Sequence, residues 1–184
     1  MFSPSDSCQL TIDRNTVNRK LKLSDNRKVT RVEEVQSYPD HPDRFDYKCP
    51  QLLCRNLLTG RCYWEVEWRG EVDVSVSYRG ISRREDRDNC VFGRNDQSWR
   101  LRCSVGGYSV CHNQRETPIS SSSSSSSVSN RAAVYVDRPA GTLSFYRVSS
   151  DTLIHLHTFN TTVTEEPLHP GFRLLLPGSS LSLC

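Results

Sequence analysis

The feature that most constrains the fold is a strict alternation of apolar and polar residues between positions 63 and 78. Residues 63–68 read YWEVEW and residues 72–78 read VDVSVSY, so each run has one apolar and one polar face. A period of two is typical of β-strands that are half buried against a core. Because Arg69 and Gly70 separate the runs, the sequence predicts that they pair as a β-hairpin.

Further short strands are predicted along the whole chain, and no run of ten or more residues shows helical apolar spacing. Residues 132–136 and 142–146 flank the turn sequence DRPAG. The other predicted strands are residues 20–23, 29–32, 51–54, 99–104, 108–111, 154–159, 172–175 and 181–184. Many short strands with turn signals between them predict an all-β sandwich or barrel, and 184 residues suffice for one such domain.

The charges nearly balance, with 24 basic and 21 acidic residues and a net charge of +3. Nucleic-acid-binding domains usually carry a strongly basic face, so this balance makes nucleic acid an unexpected partner. Only four of the basic residues are lysines, and the rest are arginines. The planar arginine fork suits contacts with carboxylates at interfaces, and a compositional bias of the lineage explains the excess equally well.

Eight cysteines are present, and the sequence shows no signal peptide. It also lacks an apolar run of about 18 residues, the length that spans a membrane. We therefore expect a cytoplasmic protein without membrane insertion, in which the cysteines are free and mostly buried thiols.

Residues 118–130 include an unbroken serine run from Ser120 to Ser127. Serine has little apolar surface to bury, so this stretch is predicted to be a flexible loop. Because it lies between two predicted strands, it is a loop inside one domain and not a boundary between two. Residues 1–7 are predicted to be a disordered N-terminus.

Catalytic and metal-binding patterns are weak. The chain has no nucleophile elbow, zinc-protease, phosphate-loop or dinucleotide motif. Glu65 and Glu67 share a strand face, but alternation alone predicts a solvent-facing pair. His155 and His157 form a metal half-site with no evident third ligand, and no CxxC pair supports a zinc site. We expect no catalytic residues, no metal and no other cofactor.

Several stretches in the right order resemble the motifs of PRY-SPRY (B30.2) domains. The motifs include LTIDRNT, GRCYWEVE, FGRNDQSW, AGTLSFY and LHPGF. The matching stretches are residues 10–16, 21–29, 38–45, 60–67, 76–78, 92–99, 134–137, 140–146, 168–172 and 181–184. Such domains occur in tripartite-motif proteins, fish NACHT leucine-rich-repeat proteins and stonustoxin-like proteins.

The resemblance implies a bent sandwich of two antiparallel β-sheets, a concanavalin-like jelly roll. Residues 8–58 would form the PRY segment and residues 59–184 the SPRY segment of one structural unit. It also implies a non-catalytic module that recognises a protein target. In that case the chain is the target-binding domain of an innate-immune or ubiquitin-ligase type protein.

Positions that match the family place the partner-binding surface on four segments. The expected residues are Asp43, Arg44, Phe45, Asp46, Arg83, Arg84, Glu85, Arg102, Ser104, Tyr108, Phe172 and Arg173. Three aromatic residues among them are expected to anchor the partner, and the arginines to orient an acidic surface. The aromatic residues assigned to the core instead are Trp64, Trp68, Trp99 and Phe145.

The chain departs from the family at Arg14, where a proline is usual, at Arg173, where an aromatic residue is frequent, and in the serine run. No RING finger, B-box, coiled coil or nucleotide-binding module precedes Cys8 in this sequence. If the native protein has such upstream modules, we expect them to set its oligomeric state. Two other classes stay open. One is a binder of anionic surfaces or nucleic acid through arginine-rich loops, and the other is a cryptic hydrolase or metal site.

Overall fold

A computed structural model describes residues 4–46, 48–84, 86–119, 129–161 and 164–184. The strands in this part of the chain are β1 (Leu21–Ser24), β2 (Lys28–Arg31), β3 (Gln51–Leu53), β4 (Arg61–Arg69), β5 (Val72–Tyr78), β6 (Ser98–Ser104), β7 (Gly107–His112), β8 (Arg115–Ile119), β9 (Arg131–Asp137), β10 (Thr142–Ser149), β11 (Thr152–Asn160), β12 (Leu168–Leu174) and β13 (Ser180–Leu183). One short helix, α1 (Arg87–Cys90), and 3-10 turns at Pro4–Asp6 and Arg14–Thr16 complete the described elements.

The strands form two antiparallel sheets. The seven-stranded sheet has the order β1-β2-β13-β4-β9-β10-β11, and the six-stranded sheet has the order β3-β12-β5-β6-β7-β8. The predicted all-β sandwich of two antiparallel sheets is therefore confirmed. The strand predicted at residues 72–78 coincides with β5 from its first residue to its last.

The two strongly alternating strands, β4 and β5, lie in different sheets, so the predicted hairpin between them is wrong. β4 pairs with β9 and β13, whereas β5 pairs with β6 and β12. Between them Gly70 has a φ of 78°, and a Cβ there would lie 2.5 Å from Ser179 Oγ. Alternation indicates only that one face of each strand is buried. Two consecutive strands can bury that face equally well as neighbours in one hairpin or as members of two facing sheets.

The main core lies between the two sheets. It contains the four aromatic residues assigned to it from the sequence, Trp64, Trp68, Trp99 and Phe145. Leu10, Val17 and Leu21 from the first third of the chain are buried in the same cluster. The N-terminal segment is therefore part of the sandwich core, and not an appendage to it.

Residues 4–7 are ordered, which corrects the predicted N-terminal disorder for these positions. Pro4–Asp6 is a 3-10 turn, Ser7 forms a parallel bridge with Tyr63, and the Cys8 amide donates to the Tyr63 carbonyl at 2.8 Å. Backbone pairing with β4 holds this segment although it has few apolar side chains. Residues 1–3 lie outside the described residues.

The first two residues of the flexible loop predicted at 118–130 belong to a strand. Pro118 and Ile119 belong to β8, where they pair with Ser109 and Tyr108 of β7. The serine run itself, with residues 120–128, lies outside the described residues. β8 has no apolar alternation to predict it, because its side chains are mostly exposed and it contains a proline, both of which are typical of an edge strand.

The prediction that all cysteines are free thiols is wrong for half of them. Disulfides join Cys8 to Cys62 and Cys49 to Cys90. The other cysteines are free, namely Cys54, Cys103, Cys111 and Cys184. The paired cysteines are 54 and 41 residues apart in the sequence. Sequence spacing alone does not reveal such pairings.

The described helices are single turns. The Asp86 carboxylate accepts a hydrogen bond from the Asn89 amide and so caps α1 at its N-terminus. No helix in the described part of the chain is long and apolar enough to cross a membrane.

Candidate functional site

The structure brings two of the predicted binding segments together. The Asp46 amide donates to the Arg83 carbonyl at 2.9 Å, and Arg83 Nε donates to the Asp43 carbonyl at 2.8 Å. Asp43 also accepts a hydrogen bond from Arg79 at 3.1 Å. The linker before β3 and the loop after β5 therefore form one structural cluster, which we call the linker cluster and which contains residues 43–46, Arg79 and Arg83.

Arg44 is buried in this cluster, and its role is internal. Its guanidinium donates to the backbone carbonyls of Pro39, Arg14 and Val17 at distances of 2.7 to 3.0 Å. These carbonyls lie in turns without strand partners, so Arg44 replaces the missing backbone pairing. The expectation that Arg44 contacts a partner is wrong.

Phe45 is also buried and is not an exposed anchor. It belongs to a second apolar cluster outside the six-stranded sheet, which consists of Phe45, Cys49, Leu53, Ile81, Cys90, Val91 and Phe92. The Phe45 and Phe92 rings meet edge to face at 5.8 Å. Phe45 is buried here because Leu53 of β3, Ile81 and Phe92 surround it with apolar side chains.

Arg83 lies over the Phe45 ring, with its guanidinium carbon 4.7 Å from the ring centroid. It also donates to the carbonyls of Arg79 and Ile81. Burial lowers the pKa of the Arg83 guanidinium, an effect that the nearby Asp43 carboxylate opposes. Arg83 is therefore half-buried, and these hydrogen bonds hold its guanidinium against the protein's own backbone.

Arg84 differs from Arg83 because its side chain is exposed. It donates to the His41 carbonyl at 3.2 Å and lines a shallow depression with Asp40, His41 and Pro42. We call these four residues the linker patch. Glu85, predicted beside it, lies outside the described residues.

A second group of predicted residues meets on the outer face of the six-stranded sheet. Antiparallel pairing places Arg173 of β12, Asp73 of β5 and Arg102 of β6 in one row across three strands. Arg102 binds the Asp73 carboxylate with two hydrogen bonds, of 2.8 and 3.1 Å. Arg173 Nη1 lies 3.6 Å from the same carboxylate.

Arg100 occupies the next outward position on β6. Its Nη1 lies 3.8 Å from Asp73 Oδ1, and its Nη2 lies 3.4 Å from Glu116 Oε1 on the edge strand β8. We call Asp73, Arg100, Arg102, Arg173 and Glu116 the arginine face.

Residues 86–93 cover part of this outer face. A Cβ at Gly171 would lie 2.6 Å from the Phe92 ring, and one at Gly93 would lie 2.6 Å from the Arg100 side chain. Two glycines therefore allow the covering segment to pack closely on the sheet. The arginine face is left open mainly on the β6 and β8 side, at Arg102 and Glu116.

The charge on the arginine face is unusual because one of its two carboxylates, that of Asp73, is fully buried. The Asp73 side chain has no exposed surface, and those of Arg100 and Arg173 are 2% and 7% exposed. Burial lowers the pKa of Arg173 to about 10, and Asp73 opposes this shift, so the guanidinium stays charged at neutral pH. Three guanidinium groups therefore converge on one buried carboxylate.

Sequence reasoning identified Arg102 and Arg173 but missed Asp73 and Arg100. Both residues sit at polar positions of alternating strands, where the pattern predicts a solvent-facing side chain. The available signal was an acidic residue in β5 and two arginines spaced by two in β6, but only strand register shows that they meet.

Three further predicted residues do not join either group. Phe172 is fully buried in the main core and is not an anchor. Tyr108 faces the core, where it packs edge to face on Trp68 and donates to the Ser129 carbonyl at 3.2 Å. Burial raises the pKa of Tyr108. Ser104 is the last residue of β6, and its hydroxyl donates to the Gly107 carbonyl at 3.2 Å.

The glutamate and histidine residues that were considered as catalytic or metal-binding candidates contact other side chains of the protein. Glu67 forms an ion pair with Arg131 at 2.8 Å. The register between β10 and β11 shifts at the two histidines. The His155 ring meets Tyr146, and the His157 ring meets Phe159. Among the described residues, no group of three or more His, Cys, Asp or Glu side chains is placed to hold a metal ion.

Family models match nearly the whole chain. The SPRY-associated domain PRY matches residues 10–58, and the SPRY domain matches residues 61–184. The chain is 44% identical to neoverrucotoxin subunit alpha of Synanceia verrucosa over 91% of its length, and 35% identical to tripartite motif-containing protein 16 of Mus musculus over 91%. It spans 24% and 30% of those relatives.

Two solved structures share the fold. The stonustoxin structure superposes with a TM-score of 0.87 at 37% identity, over 97% of this chain and 29% of that one. The TRIM65 PSpry domain superposes with a TM-score of 0.83 at 26% identity, over 98% of this chain and 91% of that one. A toxin subunit and a tripartite-motif protein therefore both contain this sandwich.

Proposed function

Because the chain belongs to the PRY-SPRY (B30.2) family, we propose that it is a non-catalytic module that binds a protein target. The family membership carries this proposal, since the SPRY domain is a binding fold in tripartite-motif relatives. In an innate-immune or ubiquitin-ligase type protein, such a domain supplies target recognition and the effector activity lies elsewhere.

We place the binding surface on the linker patch and the open side of the arginine face. Both present an arginine to solvent, since Arg84 is exposed and the Arg102 side chain is 23% exposed. The main core and the linker cluster hold the scaffold rigid beneath them. Arginine is enriched at protein interfaces because its fork binds carboxylates and its flat face packs on other side chains.

The test compares wild-type protein with Arg84→Glu and with Arg55→Glu as a matched control, since Arg55 is exposed and lies outside both surfaces. Each protein is immobilised, and captured lysate proteins are quantified by mass spectrometry. We expect a defined set to be lost with Arg84→Glu and kept with Arg55→Glu.

A purified member of that set must then bind wild-type protein directly, with at least about tenfold weaker affinity for Arg84→Glu, since a reversed interface charge costs more than about 1.4 kcal/mol. Circular dichroism checks that each variant is folded. Equal capture by both variants, or no direct binding by the purified candidate, would overturn the proposed surface.

The proposal includes a compartment, the cytoplasm, which the sequence predicts. The two disulfides argue against it, because disulfides typically persist in oxidising compartments. A membrane-permeable thiol reagent is added to intact cells, the protein is denatured in the same reagent without reductant, and the number of modified cysteines per chain is measured by mass spectrometry. Four free thiols per chain, as the structure has them, would contradict a reducing cytoplasm, and eight would support it.

A further inference from the structure

The arginine face has more hydrogen-bond donors than acceptors. Arg100 Nε, Arg100 Nη1 and Arg173 Nε are buried and have no hydrogen-bond partner, and neither has Ser75 Oγ. Strand register places Ser75 opposite Arg100 on one side and Gly171 on the other, so these donors lie in neighbouring rows of one sheet face. Buried donors without acceptors are rare in proteins and call for an explanation.

The charges are unbalanced in the same place. Arg100, Arg102 and Arg173 carry three positive charges, while Asp73 and Glu116 supply two negative ones. Asp73 is fully buried, but the Glu116 side chain is 48% exposed and touches Arg100 only at 3.4 Å. It is also hydrogen-bonded to Ser109 at 3.0 Å. One carboxylate is thus integral to the face, and the other is loosely held at its rim.

We propose that the arginine face binds one carboxylate from an acidic segment of the protein target. The incoming group takes the place of Glu116 beside Arg100 and contacts Arg102, whose side chain is 23% exposed. This carboxylate would replace the loosely held Glu116 carboxylate as the second counter-charge beside Asp73, and the planar forks of the arginines match its geometry. The proposal rests on the proposed function, because it names the chemistry by which that function is carried out.

The experiment uses fluorescein-labelled hexaglutamate as the probe and hexaglutamine as the uncharged control peptide. Fluorescence anisotropy measures binding to wild type, Arg102→Gln, Glu116→Gln and the exposed control Arg55→Gln at low salt. Arg102→Gln should weaken hexaglutamate binding by about tenfold, the loss of one charge-assisted hydrogen bond. Arg55→Gln should change it by less than about twofold.

Glu116→Gln is the decisive variant because it removes a competing carboxylate from an exposed position. Binding should become about threefold tighter, whereas simple loss of structure would weaken it. Unchanged binding in both Arg102→Gln and Glu116→Gln would overturn the site. Wild-type affinity for hexaglutamine equal to that for hexaglutamate would do the same.

Inorganic phosphate tests the other source of negative charge. If phosphate displaces hexaglutamate much better than sodium chloride of equal ionic strength, the face holds a small free anion and the proposal fails. Displacement equal to that by sodium chloride supports a peptide carboxylate.

The two proposals fail separately. If a purified target binds with a dependence on Arg84 but none on Arg102 or Glu116, protein recognition stands and the carboxylate site is wrong. If hexaglutamate binding depends on Arg102 and Glu116 but no protein target binds directly, the site stands and the recognition proposal is wrong.

Discussion

Two groups of arginines occupy different regions of this molecule and bind different acceptors. Arg44 and Arg83, in the linker cluster, donate mainly to backbone carbonyls. Arg100 and Arg173, on the arginine face, converge on the Asp73 carboxylate and retain N–H groups without a partner. The first group completes backbone hydrogen bonding in irregular chain, whereas the second leaves unused binding capacity. An arginine's role in this molecule therefore follows from which acceptors surround it as well as from its exposure.

The largest expected effect is the loss of the buried carboxylate. Asp73→Asn leaves three guanidinium groups without their shared counter-charge, so it should lower the free energy of unfolding by about 3–5 kcal/mol. Urea unfolding measures this loss. Ser75→Ala is the matched control, because it removes a buried hydroxyl without a partner and should be close to neutral.

Adding Arg173→Met to Asp73→Asn should restore part of the lost stability, because it removes one of the unbalanced charges. A loss below about 1 kcal/mol for Asp73→Asn alone would mean that the arginine face is no more charge-dependent than the linker cluster.

The next effect belongs to the linker cluster. Arg44→Lys keeps the charge but loses the fork that reaches three carbonyls, so we expect destabilisation by about 2–3 kcal/mol. The measurement is again urea unfolding, with Arg55→Lys as an exposed control that should change stability by less than about 0.5 kcal/mol. If Arg44→Lys matched its control, charge alone would explain the linker arginines and the contrast would disappear.

A smaller effect connects pH to the same cluster. His169 donates through Nδ1 to the Cys54 carbonyl. Burial lowers its pKa, the Cys54 hydrogen bond opposes this, and Arg79 and Arg83 lower it further. Because the folded pKa lies below the unfolded value of about 6.5, the unfolded chain binds the proton more readily. Stability is therefore complete above that value and falls as pH decreases below it.

This dependence should not exceed about 1.4 kcal/mol per pH unit. Urea midpoints at pH 7.5 and 5.5 measure it, and His169→Gln should flatten the difference between them. An unchanged pH difference in His169→Gln would show that His169 does not sense the linker arginines.

The smallest effect on stability is expected at Arg84, the exposed neighbour of Arg83. Arg84→Gln removes one hydrogen bond to the His41 carbonyl and should change the free energy of unfolding by less than about 0.5 kcal/mol. Thermal unfolding followed by circular dichroism checks this. A larger loss would place Arg84 with the structural arginines and remove it from the proposed binding surface.

Much of the fold was predictable because alternation is a local signal. β5 and the turn between β9 and β10 follow directly from their residues. The site was less predictable, because the family resemblance indicates which positions of the chain correspond to a binding surface but not whether the side chains there are exposed. Phe45 and Phe172 occupy the expected positions yet lie inside the protein, since the covering segment and the second sheet enclose them.

The amino-acid pattern alone determined that this chain forms strands, which faces of them are apolar, and which family it resembles, because each depends on residues close together in the chain. Only the tertiary structure decided that β4 and β5 separate into two sheets. It also decided that Asp73 meets arginines from β6 and β12 and that Arg44 satisfies backbone carbonyls. Those outcomes depend on strand order and register between distant segments, which no local period contains.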